Sequence, residues 1–173
     1  MSELAELYQQ VILDASRRRH GEGELDPFDC EHYEKNPSCG DELRVRLRLS
    51  GSGEDAVIDA IGWVGDGCSI SMASTSIAVE QLRGRSIAEA GEAIATMREM
   101  MRSRGKLSYD EDSREAELLG DAVAFEGAAK YVMRVKCAML AWVAVEAALR
   151  EHMSQKCGLI TSRCGQLGGA PRR

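Results

Sequence analysis

The chain has 173 residues, a formal net charge of −6, 44% hydrophobic and 29% charged residues. That length suits one domain with a core of its own, and the negative balance argues against a broad nucleic-acid-binding surface. No apolar run is long enough to span a bilayer, and the opening MSELAELYQQ lacks the basic and apolar regions of a signal peptide.

The expected compartment is therefore the cytosol, where thiols stay reduced. Six cysteines there point to metal or sulfur chemistry rather than to disulfides.

Residues Glu3 to Arg18 predict an amphipathic helix, with Leu4, Leu7, Tyr8, Val11, Ile12 and Ala15 on one face. A basic last turn and Gly21 suit its end. Gly21 to Ser38 is polar, with Pro27 and Pro37, and is expected to be a loop. Cys30 and His32 lie inside it, without a second pair at zinc-finger spacing. Glu42 to Ser50 alternates apolar Leu43, Val45, Leu47 and Leu49 with Arg44, Arg46 and Arg48. It predicts a half-buried strand whose arginines face water. A Gly-rich turn leads to a second strand, Ala56 to Val64, completing an antiparallel hairpin.

A helix is expected from about Ser69 to Leu82, which puts Cys68 at its N-terminus. Free N–H groups and the helix dipole favour a thiolate there. The helix holds five hydroxyl side chains, suited to close packing or to hydrogen-bonding sulfur. Ser86-Ile87-Ala88-Glu89 is a capping box opening a helix to about Arg104, with Met97 and Met101 in the core. The acidic stretch Leu107 to Gly120 is expected to carry a short exposed helix. The last strong helix runs from about Val132 to His152 with Cys137 in its first turns. Residues 1–153 form the expected domain, and 154–173, with Cys157 and Cys164, a flexible C-terminal tail.

Three cysteines stand in special settings. Cys39 and Asp41 lie at i and i+2 in Asn36-Pro37-Ser38-Cys39-Gly40-Asp41, where Pro37 and Gly40 shape a tight turn. By itself this hexapeptide suits an incidental surface turn as well as a ligand pair. Cys68 falls at a turn-to-helix junction and Cys137 at a helix start. Three thiolates and the Asp41 carboxylate make four ligands, enough for tetrahedral zinc or for an iron–sulfur site. Such a set keeps net negative charge around zinc, and Arg134 and Lys136, flanking Cys137, are candidates to offset it.

The runs NPSCGD at 36–41, GDGCSISMAS at 65–74 and RVKCAMLAW at 134–142 together resemble the SufU branch of the IscU/NifU-type iron–sulfur cluster assembly proteins. LYQQVILD at 7–14 is similar to that family's opening helix, and the resemblance covers roughly Leu7 to Leu149. A long interval between Cys68 and Cys137, and Lys136 where IscU carries histidine, point to SufU. The chain departs from the family at Arg17–His20, at Ala129–Met133 and in its tail.

The resemblance implies an α+β fold, a small antiparallel sheet packed on one side by helices. It also implies a zinc-dependent sulfur-transfer protein that accepts sulfur from a PLP-dependent cysteine desulfurase and serves iron–sulfur cluster assembly. Carried over residue by residue, Cys39, Asp41, Cys68 and Cys137 would hold zinc, and Cys39 would attack the desulfurase persulfide. The alternatives are a scaffold for an iron–sulfur cluster and a small zinc-stabilised binding protein.

Overall fold

The computed structural model describes residues 2–164, with side chains in its last helix as far as Gln155. Helix α1 (Glu3–Arg18) starts at an N-cap, Ser2, whose hydroxyl accepts from the Ala5 N–H. Three strands follow, β1 (Cys30–Lys35), β2 (Glu42–Ser50) and β3 (Val57–Asp66). They pair antiparallel in the order β1-β2-β3. The helices α2 (Ser69–Leu82), α3 (Ile87–Arg102), α4 (Arg114–Leu119) and α5 (Val132–Cys164) complete the chain, with a 3-10 stretch, Gly120–Lys130, before α5. This is the expected α+β architecture.

Alternation along β2 turns Leu43, Val45 and Leu47 inward, each essentially without solvent exposure. Burying one such side chain contributes roughly 1.5–3 kcal/mol. α5 packs on β1 and β2, and α2 lies between α1 and α5. From Ser71 to Val79 every residue of α2 is buried, four hydroxyl residues included. Those hydroxyls are satisfied. Ser74 donates to the Ala138 carbonyl and accepts from Trp142 Nε1 at 3.0 Å, and Ser76 accepts from the His20 N–H at 2.9 Å. Met97 and Met101 of α3 are buried as expected.

Several features differ from the sequence expectation, among them α4, expected to be exposed, which buries Leu118 and Leu119. Cys30 and His32 are strand residues: β1 pairs with β2 in the register Cys30↔Leu47 to Lys35↔Glu42. The polar sequence CEHYEK hides this strand, because its pairing comes from β2 and not from its own apolar pattern. The arginine row is also partly covered. Arg44 and Arg46 pair with Glu24, Arg46 pairs with Glu31, and its guanidinium lies 4.4 Å from the Phe28 ring centre. In α1 the apolar face is not fully used, since Leu4 and Leu7 remain half-exposed and Ala15 alone is buried. Finally, α5 is helical through Cys164, past the expected end at His152. Side chains beyond Gln155 and residues 165–173 lie outside the described residues, and with them the expected tail and the surroundings of Cys157 and Cys164.

The outer edge of β3 is occupied. The Gly23 N–H donates to the Trp63 carbonyl at 2.8 Å and the Trp63 N–H to that of Gly21 at 3.2 Å. Further along, the Ile58 N–H donates to the Arg85 carbonyl and the Gly84 N–H to that of Ile58.

Candidate metal centre

Sheet register builds the site. Glu42 pairs with Asp66, so the turn between β1 and β2 and the turn after β3 emerge at one end of the sheet. The first carries Cys39 and Asp41, the second Cys68, and the N-terminal part of α5 brings Cys137 to the same end. The first turn is closed by its own backbone. The Gly40 N–H donates to the Asn36 carbonyl at 2.9 Å and the Asn36 N–H to that of Asp41 at 2.8 Å. The Asn36 side chain accepts from the Ser38 N–H at 3.0 Å. Gly40 has φ +79°, a conformation that side-chain-bearing residues rarely adopt.

Cys39 Sγ, a carboxylate oxygen of Asp41 and Cys137 Sγ all lie within 4.8 Å of one another. The two sulfurs are 3.6 Å apart. Cys39 is exposed, while Asp41 and Cys137 are buried. Cys68, also exposed, stands beside this trio. It is the N-cap of α2, its Sγ accepting from the Ser71 N–H at 3.5 Å and its own N–H donating to Asp41 Oδ1 at 3.3 Å. The second carboxylate oxygen, Oδ2, accepts a short hydrogen bond from the Ser71 hydroxyl.

Of the two flanking cations, Lys136 reaches the cysteine turn, with Nζ 2.7 Å from Ser38 Oγ. Arg134 turns aside, its guanidinium 4.5 Å from the Tyr131 ring centre. Cys30 and His32 lie outside the trio; His32 joins Glu34 and Glu151 by ring-nitrogen contacts at 3.3 and 3.1 Å. Two contributors were not assigned from the sequence. In the sequence Asn36, whose Nδ2 sits 3.9 Å from Cys137 Sγ, is only part of a turn. Ser71 is one of five hydroxyl residues in α2, with nothing in the sequence to single it out.

Electrostatics fit a cation. Burial pushes the Cys137 thiol up, and its neighbours Cys39 and Cys68 push it further. For Asp41, burial works to raise the pKa, but hydrogen bonds from Ser71 and the three thiols outweigh it and hold the carboxyl below its ordinary value. A buried Cys137 thiol that resists ionising without a cation, beside a carboxylate that stays ionised, suits a thiophilic divalent ion such as zinc.

Fold and centre together define a small α+β protein with a cysteine–aspartate metal-type site at one end of its sheet. The family described as the NifU-like N terminal domain matches residues 7–138. The chain is 37% identical over 145 residues to the zinc-dependent sulfurtransferase SufU of Bacillus subtilis (strain 168), covering 84% of this chain and 90% of that one. It is 34% identical over 150 residues to the iron–sulfur cluster assembly scaffold protein IscU of Streptococcus pyogenes serotype M1, covering 87% of each. A solved structure from Fervidobacterium islandicum AW-1, described as an iron–sulfur cluster assembly scaffold for the SUF system, superposes with TM-score 0.68 at 32% identity. That match covers 83% of this chain and 97% of the other. The chain belongs to the NifU-like N-terminal domain family, which includes the SufU and IscU proteins.

Proposed function

We propose that this protein is a zinc-dependent sulfur-transfer protein of iron–sulfur cluster assembly. The observation that carries the reading is the contrast in exposure within one trio. Cys39 is open to solvent on a turn, while its neighbours Asp41 and Cys137 are buried. Similarity to the Bacillus subtilis sulfurtransferase supports it.

Cys39, Asp41, Cys68 and Cys137 would hold the zinc, which when bound keeps thiol ligands deprotonated. Cys39 is the acceptor. Cys137 is enclosed, and Cys68 is tied to the first turn of α2 through the Ser71 N–H. The Cys39 thiolate attacks the outer sulfur of a partner's cysteine persulfide. A new S–S bond forms on Cys39, the old one breaks, and the partner cysteine leaves as thiolate. The partner is a PLP-dependent cysteine desulfurase of the SufS type, other cluster assembly proteins take the sulfur onward, and the setting is the cytosol. Lys136 holds the turn that presents Cys39.

The test is incubation with desulfurase and cysteine, then mass spectrometry of non-reduced peptides. A persulfide on Cys39, absent in Cys39→Ala, is the expected result. A persulfide on Cys68 or Cys137 with none on Cys39 would overturn the assignment. Similarity to the Streptococcus pyogenes scaffold favours a second reading, assembly of a cluster on the same cysteines. Metal analysis of protein purified without added metal separates the two: zinc without sulfide supports transfer, iron with acid-labile sulfide supports the scaffold.

A further inference from the structure

We propose that Ser71 is a positioning residue that clasps Asp41 to the first turn of α2 and thereby sets how fast zinc leaves the site. The inference rests on the reading that Asp41 is a zinc ligand. Its basis is a set of contacts, all within the described residues. Both oxygens of the Asp41 carboxylate are engaged by α2, Oδ1 by the Cys68 N–H and Oδ2 by the Ser71 hydroxyl. With the site thiols deprotonated on a metal, the bonds they give the carboxylate are released, and each oxygen, having two acceptor directions, keeps one for a cation.

A serine hydroxyl has one proton to give. In Ser71 that proton goes to Asp41, although Cys68 Sγ lies 3.6 Å from the same oxygen. The hydrogen bond is charge-assisted and shut away from water, since Ser71 has no solvent exposure. Its own support is rigid. The Thr75 hydroxyl donates to the Ser71 carbonyl at 2.7 Å, and Ser74 ties the same turn of α2 to α5 through the Ala138 carbonyl. The carboxylate is thus anchored to α2, whose residues from Ser71 to Val79 are all buried, while Cys39 is exposed on a turn held at its surface by the Ser38–Lys136 contact. Aspartate stays and the thiol is the ligand freed to move.

Deleting an outer partner of a metal ligand commonly costs roughly 10–100-fold in metal affinity. The experiment follows zinc release from the zinc-loaded full chain to a coloured chelator, for the parent, Ser71→Ala, Asp41→Ala and the double variant. Ser71→Ala is expected to release zinc about tenfold faster than the parent, the low end of that range. In the Asp41→Ala background it is expected to change nothing, because its effect runs through Asp41. Equal acceleration by Ser71→Ala in both backgrounds would overturn the inference, as would no acceleration in either. Melting of the four metal-free chains is recorded alongside. If the acceleration simply follows a common loss of melting temperature, Ser71 is only a structural hydroxyl and the inference fails. If Asp41→Ala releases zinc no faster than the parent, the ligand assignment itself fails.

Discussion

Lys136 donates from Nζ to Ser38 Oγ at 2.7 Å, so α5 holds the turn that carries Cys39 from the residue just before Cys137. The two cysteines are thereby kept close by a contact neither of them makes.

Lys136→Ala should therefore loosen Cys39 without altering the fold. A hydrogen bond of this kind is worth about 1 kcal/mol, so Cys39 in the metal-free chain should be alkylated roughly fivefold faster. Peptide mass spectrometry after timed iodoacetamide treatment reads the rate, and Cys137 serves as the buried internal reference.

Gly67→Ala should damage the site more than the fold. A Cβ at Gly67 would stand 2.8 Å from Asp41 Cγ and 3.0 Å from its Cβ, closer than such atoms approach. The carboxylate would have to leave its hydrogen bonds with Cys68 and Ser71. Zinc affinity is expected to fall by about tenfold or more, as for loss of an outer-shell partner. Competition with a chelator of known affinity measures it, and far-UV circular dichroism should stay close to the parent.

Cysteine replacements should divide by position. Cys68→Ala and Cys137→Ala are expected to lower zinc content from one per chain, while Cys30→Ala leaves it unchanged, because Cys30 is in the core on β1 and outside the trio. Metal analysis after gel filtration decides. Retained zinc in Cys68→Ala would remove Cys68 from the ligand set.

The capping box of α3 gives a pH signature. The Ser86 N–H and then the Ser86 hydroxyl hold the Glu89 carboxyl below the ordinary glutamate value. A depressed folded pKa stabilises the fold above the unfolded value, and the contribution is lost as pH falls through the folded one. The melting-temperature advantage of the parent over Glu89→Gln should be constant above about pH 5.5 and shrink below about pH 4.5. An advantage that grew on acidification would contradict the assignment.

Much of this architecture was legible in the sequence, and the reasons are specific. α1 and β2 begin and end where their own apolar periodicity puts them, and α2 where the flanking glycine turns put it. β1 does not. Its inward positions are Cys30, His32 and Glu34, and only the register with β2 makes them a strand. At the site, the two turns and the helix start were readable because each is local. The Ser71–Asp41 bond was not, since its partners lie 30 residues apart. Helical phase separates the hydroxyls: Ser71 faces Asp41, Ser74 faces α5, and Ser76 meets the end of α1. Sequence alone supplies the five hydroxyls but not the direction in which each one looks.

The covered edge of β3 limits how other proteins can meet this one. Gly21, Gly23, Gly84 and Arg85 already occupy backbone groups that an incoming extended peptide would need. At the opposite edge, β1 is six residues long and carries Glu31, Glu34 and Lys35. A short, charged edge discourages chain-to-chain pairing. Strand addition being disfavoured, recognition falls to side chains on helix faces, turns and helix ends, and the turns and helix ends are the structures that hold the cysteines. On the proposed reading of Cys39 as sulfur acceptor, a visiting protein that grips the molecule there touches that sulfur's own support, so association and readiness to react become one event.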